Sequence, residues 1–152
     1  MQRTKFIKPY LEKTGKNGKC TLKATGKGVY IIKENNKVVY IGYSGYDVKQ
    51  TLYRHFQKWN DKRHPETKKV QRIERVTYYN KNFDNDNYLI KVVFCKTAKE
   101  AEQLESALIK KFRPRDNSVK LDLMDLMDYS KTIEKYNEAQ EIKKEDYINL
   151  PF

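Results

Sequence analysis

The stretch 28–42, GVYIIKENNKVVYIG, limits what this chain can fold into more than any other. Two apolar runs, 29–32 and 38–41, are rich in β-branched and aromatic residues and flank a polar Glu34-Asn35-Asn36-Lys37 segment, the pattern of a β-hairpin. Each run carries one tyrosine. Opposed residues in a hairpin have position numbers with a constant sum, so Tyr30 and Tyr40 face each other only if Lys33 pairs with Lys37 across an odd-length loop. A two-residue Asn35-Asn36 turn puts them on opposite faces. Taken alone, these residues fit an ordinary hairpin whose tyrosines fill a core.

The 152-residue chain as a whole suits one domain with extensions, and a hydrophobic fraction of 38% predicts a small, one-sided core. The formal net charge is +12 and is unevenly spread. Residues 1–120 hold 28 Lys/Arg against 12 Asp/Glu, whereas residues 121–152 hold 4 against 8. A basic body with an acidic tail points to a polyanionic partner, foremost nucleic acid. Cys20 and Cys95 form no CxxC pair, and His55 and His64 complete no zinc set. No apolar run approaches the roughly 18 residues that span a membrane, and no apolar signal region follows the basic start. The expectation is a cytoplasmic protein with reduced thiols.

In chain order, residues 1–27 read as a basic, partly ordered extension in which Phe6, Ile7, Tyr10 and Leu11 could lay a short element on the domain. Asp47 and Gln50 form a capping box, and Val48, Leu52, Phe56 and Trp59 then share one helical stripe, with His55 at its edge and Arg54 nearly opposite. Residues 60–74 read as a basic loop or short helix, and residues 76–79 and 88–95 as two strands. Thr97 and Glu100 cap a helix that Pro114 stops near Phe112, with Ala101, Leu104, Leu108 and Phe112 facing inward. Glu105 sits beside that stripe. An unpaired carboxylate there costs several kcal/mol, so it needs a basic neighbour or a divalent cation. Residues 130–144 read as an exposed helix within an acidic C-terminal tail, 121–152.

Gly28-Val29-Tyr30 with Tyr40-Ile41-Gly42 closely resembles the paired signature of the GIY-YIG nuclease superfamily, and Arg54, Glu105, Pro114 and Asn117 follow in the family's order. The resemblance covers residues 28–117. It implies an α+β fold, a small, mostly antiparallel sheet flanked by helices, over a nuclease domain at 28–120. It also implies that Glu105 rather than Glu102 is the metal-binding carboxylate, that Arg54 meets the scissile phosphate, and that Gly28, Gly42 and Asn117 are structural. The chain departs from a common family pattern in having His55 directly after Arg54, with Lys58 at the fourth position.

The implied chemistry is hydrolysis of DNA by an endonuclease using one Mg²⁺ or Mn²⁺ and no small-molecule cofactor. Tyr30 is the expected general base, acting as or through a phenolate whose pKa falls well below the usual value of about 10. Tyr40 and His55 would orient water or phosphate. Ser44, Lys49, Lys58, Arg63, Lys68 and Lys69 are the expected nucleic-acid contacts. A non-catalytic nucleic-acid-binding module and an RNA endonuclease are the alternatives, and the superfamily spans homing, restriction, repair and recombination roles. The terminal Leu150-Pro151-Phe152 resembles the tail of bacterial single-stranded-DNA-binding proteins, which implies a protein partner; packing of the tip on the domain's own apolar surface and restraint of DNA binding by the acidic tail are the alternatives.

Overall fold

The computed structural model describes residues 1–11, 20–57, 59–74, 79, 86–117 and 126–143. Its strands are β1 (Gln2–Arg3), β2 (Gly28–Glu34), β3 (Lys37–Ser44), β4 (Trp59–Arg63), β5 (Val70–Glu74), β6 (Tyr88–Phe94) and β7 (Gln140–Glu141). The helices are α1 (Val48–Tyr53), α2 (Ala98–Phe112) and α3 (Ser130–Glu138). Five strands form one mixed sheet in the order β3-β2-β6-β1-β7, antiparallel except for the β1–β7 pair. The α+β expectation holds.

The β2–β3 hairpin resolves the tyrosine parity in a way neither expected register allowed. Asn35 (φ 48°) and Asn36 (φ 70°) both take the left-handed backbone of a two-residue hairpin turn, which Asn tolerates better than most residues. Glu34 pairs with Lys37 and Lys33 with Val38; the register then shifts, so that Ile32 pairs with Tyr40 and Tyr30 with Gly42. Val39 is the extra residue of a β-bulge. Val39 and Tyr40 therefore both face the core that holds Tyr30, while Ile41 faces the opposite one.

The core is two-sided, not one-sided as the low hydrophobic fraction suggested. Tyr30, Ile32, Ile90 and Val92 pack with Val48 and Leu52 of α1, whereas Val29, Ile31, Ile41 and Val93 pack with Ala101, Leu104 and Leu108 of α2. Period-two alternation along β2 serves both layers. Phe112, expected on the inner stripe of α2, is instead 39% exposed, and Ala107 and Ile109 are buried.

Both ends of the chain join this body. Residues 1–11 and 20–27 do not behave as a loose arm: β1 pairs with β6, Ile7 bridges Ile90 through two 2.8 Å backbone bonds, and Leu22 is fully buried. The Tyr53 hydroxyl donates to Pro9 O at 2.7 Å, tying α1 to that segment. The helix expected to be exposed at 130–144 buries Tyr136 against α2, and β7 extends the sheet. The acidic run before it and the Leu150-Pro151-Phe152 tip lie outside the described residues.

Two expected elements differ. Helix α1 ends at Tyr53, and His55, Phe56 and Gln57 continue it with i→i−3 bonds to Leu52, Tyr53 and Arg54. Trp59 therefore lies in β4 and not on the helical stripe. The basic segment 60–74 is no loop or short helix: β4 and β5 pair as a separate two-stranded sheet. Of the strand expected at 76–79, only Tyr79 is described, and it is not in a strand; the strand at 88–94 is β6.

Candidate active site

The candidate site lies along the outer edge of the sheet at β3, with α1 on one face and α2 on the other. Tyr30 is 2% exposed, and its ring lies against the Gly42 backbone opposite it: a Cβ at Gly42 would come within 2.8 Å of Tyr30 Cε1 and closer still to its Cζ and hydroxyl. Only glycine leaves room for that crossing. Gly28 has a comparable role at the strand start, where a Cβ would collide with the Val93 carbonyl of β6.

The Tyr30 hydroxyl lies 2.8 Å from His55 Nε2. Tyr40 stacks on Tyr30 with ring centroids 6.0 Å apart, and its ring lies 4.7 Å from that of His55. The tightened turn after α1 makes this possible, because three residues per turn swing His55 inward beside Phe56 while leaving Arg54 exposed. The adjacent Arg54-His55 pair thus divides its work: one side chain faces the tyrosines and the other faces solvent.

Glu105 reaches the same edge from the opposite layer. It is half-buried on α2, with the Tyr43 backbone N–H near enough to draw its pKa down slightly, whereas Glu102 is exposed. Burial, reinforced by the Glu102 charge, raises the Glu105 pKa to about 7 against the smaller opposing pull of the Tyr43 N–H. Tyr30 is likewise pushed well above the usual phenol range, by burial first and then by Tyr40 and Glu105. These surroundings disfavour a free Tyr30 phenolate, opposite to what the general-base expectation requires of the protein alone.

Among the described residues no group of three or more His, Cys, Asp or Glu could hold a metal ion. Glu105 still suits one: a carboxylate held among apolar neighbours, a second carboxylate and a phenol is relieved by a hard divalent cation. A single protein ligand leaves the other coordination positions to water and phosphate oxygens.

The other expected residues fall into three groups. Asn117 is structural: its side chain donates to Ile41 O at 2.8 Å and accepts from Ile41 N at 2.9 Å, imitating a neighbouring strand. Ser44 is not a surface contact but is buried, its Oγ accepting from Tyr46 N and Asp47 N, so it shapes the loop leading into α1. Lys49 is half-exposed on the first turn of α1; Arg63, Lys68 and Lys69 are exposed around the β4–β5 turn; Lys58 lies outside the described residues.

Sequence reasoning missed Tyr79 and Asp116. The buried Tyr79 ring packs edge-on against His55 at 5.7 Å, and its hydroxyl donates to Asp116 Oδ2 at 2.8 Å. Arg115 grips Asp116 with two donors, at 2.9 and 3.0 Å, and lies 3.6 Å from Glu34. These partners are 37 and 24 positions from Tyr79, so no local periodicity announces them.

A sheet with a helix on each face thus brings Tyr30, Tyr40 and His55 from one side and Glu105 from the other to the β3 edge, and the family to which such a body belongs is a nuclease family. The chain belongs to the GIY-YIG family: the model of the GIY-YIG catalytic domain matches residues 26–120. Among solved structures, the GIY-YIG N-terminal endonuclease domain of UvrC from Thermotoga maritima, described as bound to its catalytic magnesium, is 26% identical to this chain. That match has a TM-score of 0.42 and covers 64% of this chain and 91% of the other. No curated protein sequence matches significantly.

Proposed function

We propose that this chain is a divalent-metal-dependent DNA endonuclease. The observation that carries the reading is the convergence of the Tyr30–His55 pair and Glu105, from opposite faces of the sheet, on the β3 edge. Glu105 would hold one Mg²⁺ or Mn²⁺, which when bound neutralises phosphate charge and stabilises the leaving oxygen. Arg54, exposed beside His55, pairs with the scissile phosphate through its fork of donors. Tyr30 takes a proton from the attacking water at its hydroxyl and passes its own to His55 Nε2, 2.8 Å away. This hand-off avoids a standing phenolate, which burial makes unfavourable. It requires His55 with Nε2 unprotonated. Tyr40 stacks on Tyr30 and packs at a tilt against His55, holding their spacing.

Incubating the purified chain with supercoiled plasmid, flaps, forks, Holliday junctions and structured RNA, each with Mg²⁺ and with EDTA, tests the reading. Mg²⁺-dependent DNA cuts that vanish in Glu105→Gln are expected. Binding without cleavage would return the non-catalytic alternative, and cleavage confined to RNA would replace the substrate.

A further inference from the structure

We propose that the β4–β5 ribbon is a duplex-reading element that enters the major groove of the DNA cut at the β3 edge; the inference rests on the endonuclease reading above. Among the described residues, 59–74 form a sheet of their own, separate from the main one and paired from Trp59↔Glu74 to Arg63↔Val70. A two-stranded hairpin by itself is marginal in water, so backbone pairing alone gives little reason to keep one.

The turn of this ribbon is built before any partner arrives. His64 N donates to Lys69 O at 2.9 Å and Lys68 N to His64 O at 3.1 Å, while His64 Nδ1 accepts from Glu66 N and Thr67 N, each at 3.2 Å. Lys68 sits in the left-handed region at φ 61°, and Pro65 fixes the backbone between. A preformed turn lowers the ordering cost of binding.

What the ribbon presents suits a duplex. The run 62–72 carries five Lys/Arg and one acidic residue, Glu66. Arg63, Lys68 and Lys69 are exposed, and none of them joins an ion pair among the described residues. Val70, 61% exposed, stands directly across from Arg63 on the same face of the ribbon. A guanidinium and an aliphatic group are the groups that meet guanine and the thymine methyl in the major groove. Two strands about 5 Å apart fit a groove about 12 Å wide but not, with their side chains, one of about 6 Å.

The test uses the full chain in EDTA, so that binding is read without cleavage. Anisotropy is measured with a 30-base-pair duplex and with one of its strands alone, for the wild type and for Arg63→Gln/Lys68→Asn/Lys69→Gln, in which Asn accepts the left-handed backbone. The variant should bind the duplex at least tenfold more weakly, with a log–log salt slope shallower by about 2–3, and bind the single strand within threefold of wild type. Methyl green, a major-groove ligand, should displace the wild type from the duplex, whereas netropsin, a minor-groove ligand, should not. That competition needs no variant and so survives any folding defect. Unchanged duplex affinity, equal losses on both nucleic acids, netropsin displacement, or competition by polyglutamate as strong as by duplex at matched charge would each overturn the proposal. Binding that behaves as expected in a chain that never cuts DNA with Mg²⁺ would sink the endonuclease reading and leave the ribbon standing. Cleavage untouched by the triple substitution would do the reverse.

Discussion

Gly42→Ala tests the central geometric claim, that β3 needs a gap for the Tyr30 ring. The new Cβ would lie 2.8 Å from Tyr30 Cε1 and nearer to Cζ and the hydroxyl. Carbon atoms settle at roughly 3.5–4.0 Å, so the ring must retreat by about 1 Å. The strand cannot yield instead, because Asn117 clamps Ile41 on one side and β2 pairs on the other. A 1 Å retreat breaks the 2.8 Å contact with His55 Nε2. Overpacking costs about 1–3 kcal/mol, or roughly 2–12 °C of melting temperature at this size. Misplacing a reacting group by 1 Å costs about 10²-fold in rate. The assay is single-turnover plasmid cleavage in Mg²⁺, read beside thermal melting and against two companions. Gly28→Ala meets the Val93 carbonyl and should lose stability by a route that does not pass through Tyr30. Gly42→Ala/Tyr30→Phe should be no slower than the slower single variant, because both changes act on one hydroxyl. Wild-type cleavage by Gly42→Ala, or rate losses that multiply in the double variant, would refute the reasoning.

Arg54→Ala and Tyr30→Phe should each slow cleavage by roughly 10² or more while leaving duplex binding in EDTA detectable. Tyr79→Phe keeps the ring against His55 but loses the bond to Asp116, so single-turnover cleavage should fall less than in Tyr79→Ala; equal losses would show that the hydroxyl alone matters. Asp116 is held below the usual carboxylate range, first by Arg115 and also by Tyr79. A carboxylate lowered in this way stabilises the fold above its unfolded value of about 3.9 and loses that contribution as pH falls through its folded value. The melting-temperature gap between wild type and Asp116→Asn should therefore close as pH drops below about 4, and a gap that widens would contradict the pairing.

The hairpin and its signature glycines were legible because turn chemistry and β propensity are local. The relation of Tyr30 to Tyr40 was not, because Val38, Val39 and Tyr40 are all good strand formers and nothing in them marks which one bulges. Glu105 was legible as a carboxylate beside an apolar stripe, and its placement at the β3 edge agrees with that reading. The stripe through Val48, Leu52, Phe56 and Trp59 misled beyond Phe56, since helical spacing persists in the sequence after the backbone has tightened and turned into β4. The ribbon was missed because residues 59–63 and 70–74 lack apolar alternation, which only a strand covering a core requires. Tyr79 reaches His55 and Asp116 through tertiary contacts alone.

The edge position ties the proposed catalysis to fold stability, and the two are separable at Glu105. An edge strand presents unpaired peptide groups. Those of Val39 and Ile41 in β3 are taken by the stretch after α2: Val39 O by Asp116 N at 2.9 Å, and Ile41 N and O by the Asn117 side chain. Glu105 lies farther along the same edge, near Tyr43, carrying a charge that burial and Glu102 oppose, with its pKa raised to about 7. Above pH 7 the folded state bears that cost and the unfolded state does not. After discounting for solvent screening it amounts to about 1–2 kcal/mol. Gln keeps the side chain's bulk and removes the charge; Ala removes both. In EDTA at pH 8, Glu105→Gln should melt a few degrees above wild type, and Glu105→Ala should melt below Glu105→Gln because it also gives up the side chain's packing at the β3 edge. Adding Mg²⁺ should raise the melting temperature of the wild type and of neither variant, because only the wild type offers a carboxylate whose occupation stabilises the folded chain. A Gln variant that melts below wild type in EDTA would show that the carboxylate charge is satisfied by the protein itself, and the argument for a cation at Glu105 would fall with it.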